Sequence, residues 1–359
     1  MGESDDLNVQ NSSLDASDPE EDFHHRDAER RGRKNTHGRA RKRRGGQRSL
    51  FSASRRVGGE FLPGASHLTP RLRETHPMKS VAIVGTGLIG ASFGLALRQA
   101  GFDGPIHGVS SERAVADAVA AGAIDRGAPL AEAVAQADLI FLSQTIGRIL
   151  DTIRHLDPLV RPGALVTDAG STKCEIVDLA RRSVRRCQFL GGHPMAGKEK
   201  RGAAEAHGGL FRGRTWVLTP DEPSELETPV AGTFRSWLDR IGARIMVMDA
   251  DEHDRVVALT SHLPQLASTA LGATVGDGLG GSPRWLQVAG AGLEDMTRLA
   301  LGSYDLWRDI LATNTEHIER ALAVYIQKLE HMRENLRTRQ LQEEFERGAL
   351  LAGRIRRTV

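Results

Sequence analysis

One histidine is set between a glycine pair and a proline, directly after a short apolar run. His193 lies in the stretch 191–194, which reads Gly-Gly-His-Pro, and it follows Phe189-Leu190, a pair typical of a buried strand. Neutral imidazole accepts a proton readily near pH 7, so a histidine on constrained backbone at a strand end is a candidate general base. The alternative is a structural loop histidine, and position alone leaves both interpretations open.

A second polar cluster follows another predicted strand. The stretch 168–173 reads Asp-Ala-Gly-Ser-Thr-Lys. Because the carboxyl ends of parallel strands meet at one edge of a sheet, the Ser171 hydroxyl could hold a substrate oxygen or orient His193. Alternatively, Ser171 or Thr172 caps the next helix, since the stretch 172–175 resembles a capping box that ends in Glu175.

A glycine-rich turn indicates a dinucleotide site. The apolar run 80–84 leads into G-x-G-x-x-G at 85–90 and then into a helical pattern that ends before Gly101. The first glycine permits a tight turn, the second lets the backbone approach a pyrophosphate, and the third lets helix and strand pack closely. The cofactor is therefore predicted to contact five residues of this turn: Gly85, Gly87, Leu88, Ile89 and Gly90.

The residues after the next strand leave the choice of cofactor open. Strand 106–109 ends at Ser110, where an acidic residue usually binds the adenosine ribose. Small hydroxyls near Arg113 could accommodate the 2′-phosphate of NADP, whereas Glu112 could bind the ribose of NAD. The sequence predicts NAD or NADP without a preference between them.

Alternating strand and helix patterns predict an α/β fold with a doubly wound parallel (Rossmann) sheet over residues 78–248. The predicted strands lie at 80–84, 106–109, 138–142, 164–168 and 188–190, with 216–219 and 243–248 completing the edge. The predicted helices between them lie near 91–97, 112–121, 129–136 and 147–155. Residues 249–347 read as helix throughout, at 251–275, 286–301 and 306–347, and residues 348–359 as a basic tail. An all-helical second domain places the active site in the cleft between the domains.

The first 77 residues differ in composition from the rest of the chain. Residues 1–29 hold ten acids and one base, and residues 30–56 hold twelve bases and no acid. Neither block has apolar periodicity, so we predict a disordered tail, either solvated polar chain or a nucleic-acid-binding segment, and Met78 could be the true start. Residues 78–359 carry 33 basic and 34 acidic residues, which argues against nucleic acid as the substrate.

Composition excludes several other classes of protein. The 359 residues are 40% hydrophobic with a net charge of +2, which argues against a wholly disordered chain. No apolar run reaches the roughly 18 residues of a membrane span. The acidic start resembles no secretory signal, and two cysteines cannot form a disulfide framework, so the sequence predicts a cytoplasmic protein. His253 and His262 lack metal-ligand spacing, so no metal site is predicted.

Taken together and in order, these motifs resemble the prephenate dehydrogenase family, which includes arogenate and cyclohexadienyl dehydrogenases. The likeness runs from about residue 78 to 329 and includes 85–90, 168–173, 191–197, 261–264 and 298–309. It implies NAD(P)-dependent oxidative decarboxylation of prephenate to 4-hydroxyphenylpyruvate, with arogenate as the alternative substrate. A β-hydroxyacid dehydrogenase is a weaker match because those enzymes use a catalytic lysine.

The resemblance also implies roles for individual residues. His193 corresponds to the catalytic base and Ser171 to the serine that bonds both this histidine and the substrate hydroxyl. Arg298 corresponds to the arginine that binds a substrate carboxylate, and His262 would lie at the pyruvyl end of the substrate. The stretch 307–309 is expected to serve domain packing.

Two departures from the family pattern bear on specificity. Gln144 ends the fourth strand where a small residue is usual, so the cofactor is expected to contact it. Lys198 stands where a serine or threonine is common, which affects the substrate side. Helical domains of this kind commonly pair, so a homodimer through residues 249–347 is expected, with prephenate as the small-molecule partner.

Overall fold

The computed structural model describes residues 78–197, 202–280 and 283–358. The predicted tail over 1–77 and the departure at Lys198 lie outside these residues. Within them, no helix is both long enough and apolar enough to cross a lipid bilayer.

Eight strands form one sheet in the order β3-β2-β1-β4-β5-β6-β7-β8. They are β1 (Val81–Val84), β2 (Ile106–Val109), β3 (Arg126–Gly127), β4 (Leu139–Leu142), β5 (Leu165–Asp168), β6 (Gln188–Pro194), β7 (Thr215–Thr219) and β8 (Arg244–Val247). Strands β1 to β6 pair in parallel, as predicted. The strand order reverses between β1 and β4, where ligands bind in such sheets. Among the strands of the described residues, only the two-residue β3 was missed, since it is too short to show periodicity.

The sheet is not parallel throughout. β7 pairs antiparallel with β6, and β8 then pairs parallel with β7. A parallel neighbour requires a crossover connection, usually an α-helix, whereas the described part of the connection from β6 to β7 holds only a short 3₁₀ turn at Ala203–Glu205. β6 is also longer than predicted and continues through His193.

Helices cover both faces of the sheet. They are α1 (Leu88–Gln99), α2 (Glu112–Ala120), α3 (Leu130–Ala135), α4 (Ile146–Leu156), α5 (Cys174–Ser183) and α6 (Pro229–Arg240). Alternate residues of β1 enter two separate cores, because successive strand side chains point to opposite faces. One core contains an aromatic cluster in which the Phe93 and Phe141 rings lie 4.4 Å apart and the Phe93 and Trp216 rings 5.7 Å apart.

The region after β8 is helical. Its helices are α7 (Ala250–Val257), α8 (Leu263–Leu279), α9 (Pro283–Leu286), α10 (Ala291–Thr297), α11 (Tyr304–Thr313), α12 (Thr315–Asn335) and α13 (Gln342–Thr358). A π-helical turn at Ala258–His262 joins α7 to α8, with Pro264 in the first turn of α8. The helix predicted over 251–275 is therefore interrupted by a π-turn, in which the helical hydrogen bonds change register.

The single helix predicted over 306–347 is wrong in two places. It is interrupted at Asn314, whose side chain donates a hydrogen bond to the Asp254 carbonyl oxygen at 2.8 Å. It is interrupted again after Asn335, and α13 turns back so that Glu344 pairs with Lys328 at 3.4 Å. Residues 348–358, predicted as a basic tail, form the C-terminal part of α13.

Candidate active site

The glycine turn has the geometry that its sequence predicts. Gly85 has a φ of +101°, and a Cβ there would lie 2.7 Å from the Ser143 backbone. A Cβ on Gly90 would lie 2.1 Å from the Gly85 carbonyl oxygen, so only glycine allows α1 to approach β1 this closely. By contrast, a Cβ on Gly87 would meet nothing within 4 Å, because this residue faces open space.

The start of α1 is suited to bind an anion. Gly87 is its N-cap, no side chain caps it, and its first turn holds no acidic residue. The first N–H groups of a helix lack partners within the helix and carry partial positive charge, which favours phosphate. Leu88 and Ile89 line the cleft at this end. The residues present therefore fit the diphosphate of a dinucleotide.

The end of β2 leaves the cofactor preference open. Ser110 and Arg113 are both exposed, and neither lines the cleft. The neighbouring Ser111 caps α2 by accepting a hydrogen bond from the Ala114 N–H at 3.4 Å. The predicted contacts of Ser110 and Arg113 with the adenosine end stay predictions.

A cleft of about 370 Å³ opens where the strand order reverses. It brings together six of the predicted residues: Gly87, Leu88, Ile89, Gln144, Ser171 and His193. Gln144 accepts a hydrogen bond from Thr152 Oγ1 at 2.9 Å, which orients its amide. Asp305 and Leu306, at the start of α11, close the cleft from the helical region.

The candidate base is held by a second histidine. His193 Nδ1 lies 2.8 Å from His253 Nε2, and His253 Nδ1 lies 2.7 Å from Asp254 Oδ1. His253 and Asp254 are fully buried, whereas His193 is partly exposed to the cleft. Burial and the neighbouring His253, Lys173 and His262 lower the pKa of His193 well below its ordinary value. The imidazole is thus neutral near pH 7, as a base requires.

A buried ion pair fixes the strand that carries His193. Lys173 Nζ contacts Asp168 Oδ2 and donates a hydrogen bond to the Gly192 carbonyl oxygen at 2.8 Å, while Asp168 Oδ1 accepts one from the Gly192 N–H at 3.0 Å. A Cβ on Gly192 would lie 2.7 Å from the Asp168 carbonyl oxygen, so this packing needs glycine. Lys173 is fully buried and does not line the cleft. Its contacts therefore stabilise the site, and its amine is not placed to accept a proton from a substrate in the cleft.

The predicted capping box before α5 is wrong. Helix α5 begins with Lys173 as N-cap and has no side-chain cap from 172–175. Instead, Asp254 of α7 accepts hydrogen bonds from the Lys173 N–H at 2.7 Å and the Cys174 N–H at 2.9 Å. Thr172 bonds to Thr313 of α11 at 2.7 Å. Ser171 lines the cleft, a position that fits the interpretation in which its hydroxyl faces the substrate.

His262 lies beside this buried cluster and does not line the cleft. The Asn314 amide donates to the Asp254 carbonyl, so the same nitrogen, 3.2 Å from His262 Nδ1, also donates there. His262 therefore carries its proton on Nε2. Burial lowers its pKa to about 4, an effect that the nearby Asp254 carboxylate opposes and the neighbouring His253 reinforces.

The predicted carboxylate-binding arginine is at the surface of the helical region. Arg298 begins a 3₁₀ turn, Arg298–Leu301, and is exposed. It does not line the cleft, although Asp305 does. The roles of Arg298 and His262 in substrate binding stay predictions. The expected packing role of 307–309 is consistent with the structure, since Trp307 packs against the core and Asp309 accepts from the Gly147 N–H at 3.0 Å.

Sequence reasoning missed the residues behind the base. His253 was considered only as a metal ligand, and Asp254 was not considered. Among the described residues, no group of three or more histidine, cysteine, aspartate or glutamate side chains is arranged to hold a metal. An adjacent His-Asp pair at 253–254, on a helix that opens the second domain, was the available signal.

A Rossmann sheet with a helical second region, a glycine turn and a strand-end histidine in one cleft define a two-domain NAD(P)-dependent dehydrogenase. Residues 93–247 match the family model of the prephenate dehydrogenase nucleotide-binding domain, and residues 249–349 match that of its dimerization domain. The chain belongs to the prephenate dehydrogenase family.

Individual relatives agree with this assignment. Prephenate dehydrogenase of Lactococcus lactis is 33% identical over 262 residues, which are 72% of this chain and 70% of that protein. The crystal structure of prephenate dehydrogenase from Aquifex aeolicus in complex with hydroxyphenyl propionate and NAD⁺ has a TM-score of 0.68 at 29% identity, covering 78% of this chain and 98% of that one. Synechocystis arogenate dehydrogenase has a TM-score of 0.64 at 30% identity, covering 78% and 100%.

Proposed function

We propose that the protein oxidises prephenate to 4-hydroxyphenylpyruvate and CO₂ with NAD or NADP as the hydride acceptor. The observation that carries this proposal is the placement of His193, which lines the same cleft as Gly87 while its Nδ1 is bound to His253. A base and a dinucleotide turn that share one cleft fit the removal of a proton and a hydride from one carbinol.

In this proposal His193 accepts the proton of the ring hydroxyl at Nε2, the ring nitrogen that remains for the substrate. The Ser171 hydroxyl, at the same cleft, orients the substrate oxygen toward the histidine. When bound, the cofactor supplies the hydride acceptor. Loss of the ring carboxylate as CO₂ then makes the ring aromatic, which drives the reaction forward.

The cofactor would be held by the glycine turn and the uncapped start of α1. Gly85, Gly87, Leu88, Ile89 and Gly90 would bind its diphosphate, and Gln144 would contact it from the end of β4. Ser110 and Arg113 would meet the adenosine ribose. The exposed arginine suits a 2′-phosphate as well as a bare ribose, so both cofactors belong in the test.

The anionic substrate needs cationic and hydrogen-bonding partners. We assign Arg298 to a substrate carboxylate, because guanidinium binds carboxylate through two parallel hydrogen bonds. We assign His262 to the pyruvyl end, where its Nε2–H would act as a neutral donor.

We also propose that the protein is a cytoplasmic homodimer formed through its helical region, with the domain boundary at 248/249. The match to a dimerization domain supports the pairing. So do large exposed apolar side chains in this region: Val288, Leu301, Val324, Leu329 and Leu351. Two free cysteines are consistent with a reducing compartment. The near-neutral charge of residues 78–359 supports a small-molecule substrate over nucleic acid.

The test is a turnover assay with prephenate and arogenate, each with NAD and NADP, followed by the absorbance of the reduced nicotinamide. Prephenate with at least one cofactor should give the highest kcat/KM. A clear preference for arogenate would make arogenate the substrate and leave the proposed chemistry unchanged. No turnover of either substrate would contradict the proposed function.

A further inference from the structure

We propose that His253 is a positioning residue that fixes the tautomer of His193, and that Asp254 sets the orientation of His253. The inference deepens the proposed function because it explains why His193 presents a lone pair to the substrate. Its premises are hydrogen bonds within the protein, so its test does not require turnover.

The direction of the hydrogen-bond chain is set at Asp254. Its carboxylate is buried and receives three donors, the backbone N–H groups of Lys173 and Cys174 and the imidazole of His253. An ionised carboxylate can only accept hydrogen bonds. Although burial raises the pKa of Asp254, these hydrogen bonds outweigh it and keep the pKa below its ordinary value. His253 Nδ1 must therefore be the donor.

The same constraint passes through the two rings. A neutral imidazole has one donor and one acceptor nitrogen, so His253 Nε2 accepts if its Nδ1 donates. Its partner at 2.8 Å is His193 Nδ1, which must then carry the proton. The remaining nitrogen, His193 Nε2, is left with its lone pair. These hydrogen bonds thus select the one neutral tautomer of His193 in which Nε2 can take a proton.

Asp254 links this hydrogen-bond chain to the segment that carries Ser171. The carboxylate that orients His253 also caps α5, which starts three residues after Ser171. Removing Asp254 would therefore disturb both the helix start and the histidine pair. His253 is the more selective position to test, because it contacts His193 without capping a helix.

The test compares His253→Phe, which removes both ring nitrogens, with His253→Gln. Glutamine can accept from His193 through its carbonyl and donate to Asp254 through its amide. His317→Gln is the matched control. His317 lies 3.0 Å from Asp251 of the same helix α7, but it takes no part in the hydrogen bonds that join Asp254, His253 and His193. All variants are made in the full chain, and thermal unfolding and NAD⁺ binding are measured beside kinetics.

The tautomer of His193 is measured by ¹H–¹⁵N correlation of the histidine side chains in the ligand-free protein. The His193 signals are identified by their loss in His193→Asn. In the unmodified chain we expect the proton on Nδ1, and in His253→Phe a mixture of both tautomers. Turnover of prephenate should show kcat lowered about 10- to 100-fold in His253→Phe, less than the loss of the base itself, with KM changed little.

We expect His253→Gln to recover most of kcat and His317→Gln to match the unmodified chain. A proton on Nε2 of His193 in the unmodified chain would overturn the proposal, as would unchanged kcat and tautomer in His253→Phe. If His253→Phe does not fold, the spectrum of the unmodified chain and the kinetics of His253→Gln still test the proposal. If prephenate is not a substrate, the spectra alone test the tautomer, so the two failures remain distinguishable.

Discussion

Asp309 of α11 accepts a hydrogen bond from the backbone N–H of Gly147 in the first turn of α4, at 3.0 Å. A side chain of the helical region therefore caps α4, which flanks the nucleotide-binding sheet. Asp254 caps α5 in the same way. Each cap places a carboxylate at the positive end of a helix dipole, which is stabilising. Two helix starts beside the cleft are thus completed by side chains that lie at least 80 residues away in sequence.

We expect Asp309→Ala to destabilise the protein by about 1–3 kcal/mol, because it leaves the partly buried Gly147 N–H without its charged acceptor. Asp309→Asn, which retains an acceptor, should lose less. Urea unfolding measures the difference. Asp151→Ala on the exposed face of α4 is the control and should change stability by less than about 0.5 kcal/mol. Equal losses in Asp309→Ala and Asp151→Ala would show that the cap contributes nothing.

His193→Asn should lower kcat by on the order of 10²–10⁴, the usual contribution of a positioned base, with little change in KM. Asparagine cannot take the hydroxyl proton, although it retains polar contacts. Steady-state kinetics with prephenate gives both constants, and His155→Asn on the surface of α4 serves as the control. A variant with full activity would assign the base elsewhere.

Arg298→Gln should mainly raise KM for prephenate, on the order of 10- to 100-fold, because a charge-assisted contact to a carboxylate contributes roughly 1.5–3 kcal/mol. The measurement is KM at saturating cofactor. Arg320→Gln, which removes an arginine from an exposed pair with Glu316 on α12, should leave KM unchanged. An unaltered KM in Arg298→Gln would move the carboxylate site to another residue.

His262 should make stability fall as the solution is acidified. Its pKa of about 4 in the folded protein lies below the roughly 6.5 of an unfolded chain, so the unfolded state binds more protons between these values. Its contribution is fully present above pH 6.5 and is lost as pH falls toward 4. From pH 7 to pH 5 the loss is about 2 kcal/mol, at 1.36 kcal/mol per pH unit below 6.5.

The measurement for His262 is the free energy of unfolding in urea at pH 7 and pH 5, in the unmodified chain and in His262→Gln. His193 also has a lowered pKa and contributes in the same direction, so the difference between the two proteins isolates His262. His155→Gln should keep the pH dependence of the unmodified chain. The interpretation fails if His262→Gln loses as much stability on acidification as the unmodified chain.

Local sequence determined the nucleotide-binding half of the site. The strand β1 and the helix α1 interact with near neighbours. Gly85 and Gly90 are required by contacts within that unit or with Ser143, directly after β4. The sequence predicted His193 and Ser171 at one site because strand ends in a parallel sheet converge on one edge, and both residues line the cleft. The family match agrees with the motifs that the sequence presented in order.

Tertiary structure alone decided what holds these residues. One interpretation of the sequence assigned the α5 cap to nearby Ser171 or Thr172, because capping boxes are local. The acceptor that binds these N–H groups is instead Asp254 from another region. The helix over 306–347 has an unbroken local pattern, yet the contact between Asn314 and the Asp254 carbonyl interrupts it. The pairing of His193 with His253 joins residues 60 positions apart. Periodicity and propensity register only interactions within a few residues, so long-range hydrogen bonds between buried polar groups become visible only when the chain is folded.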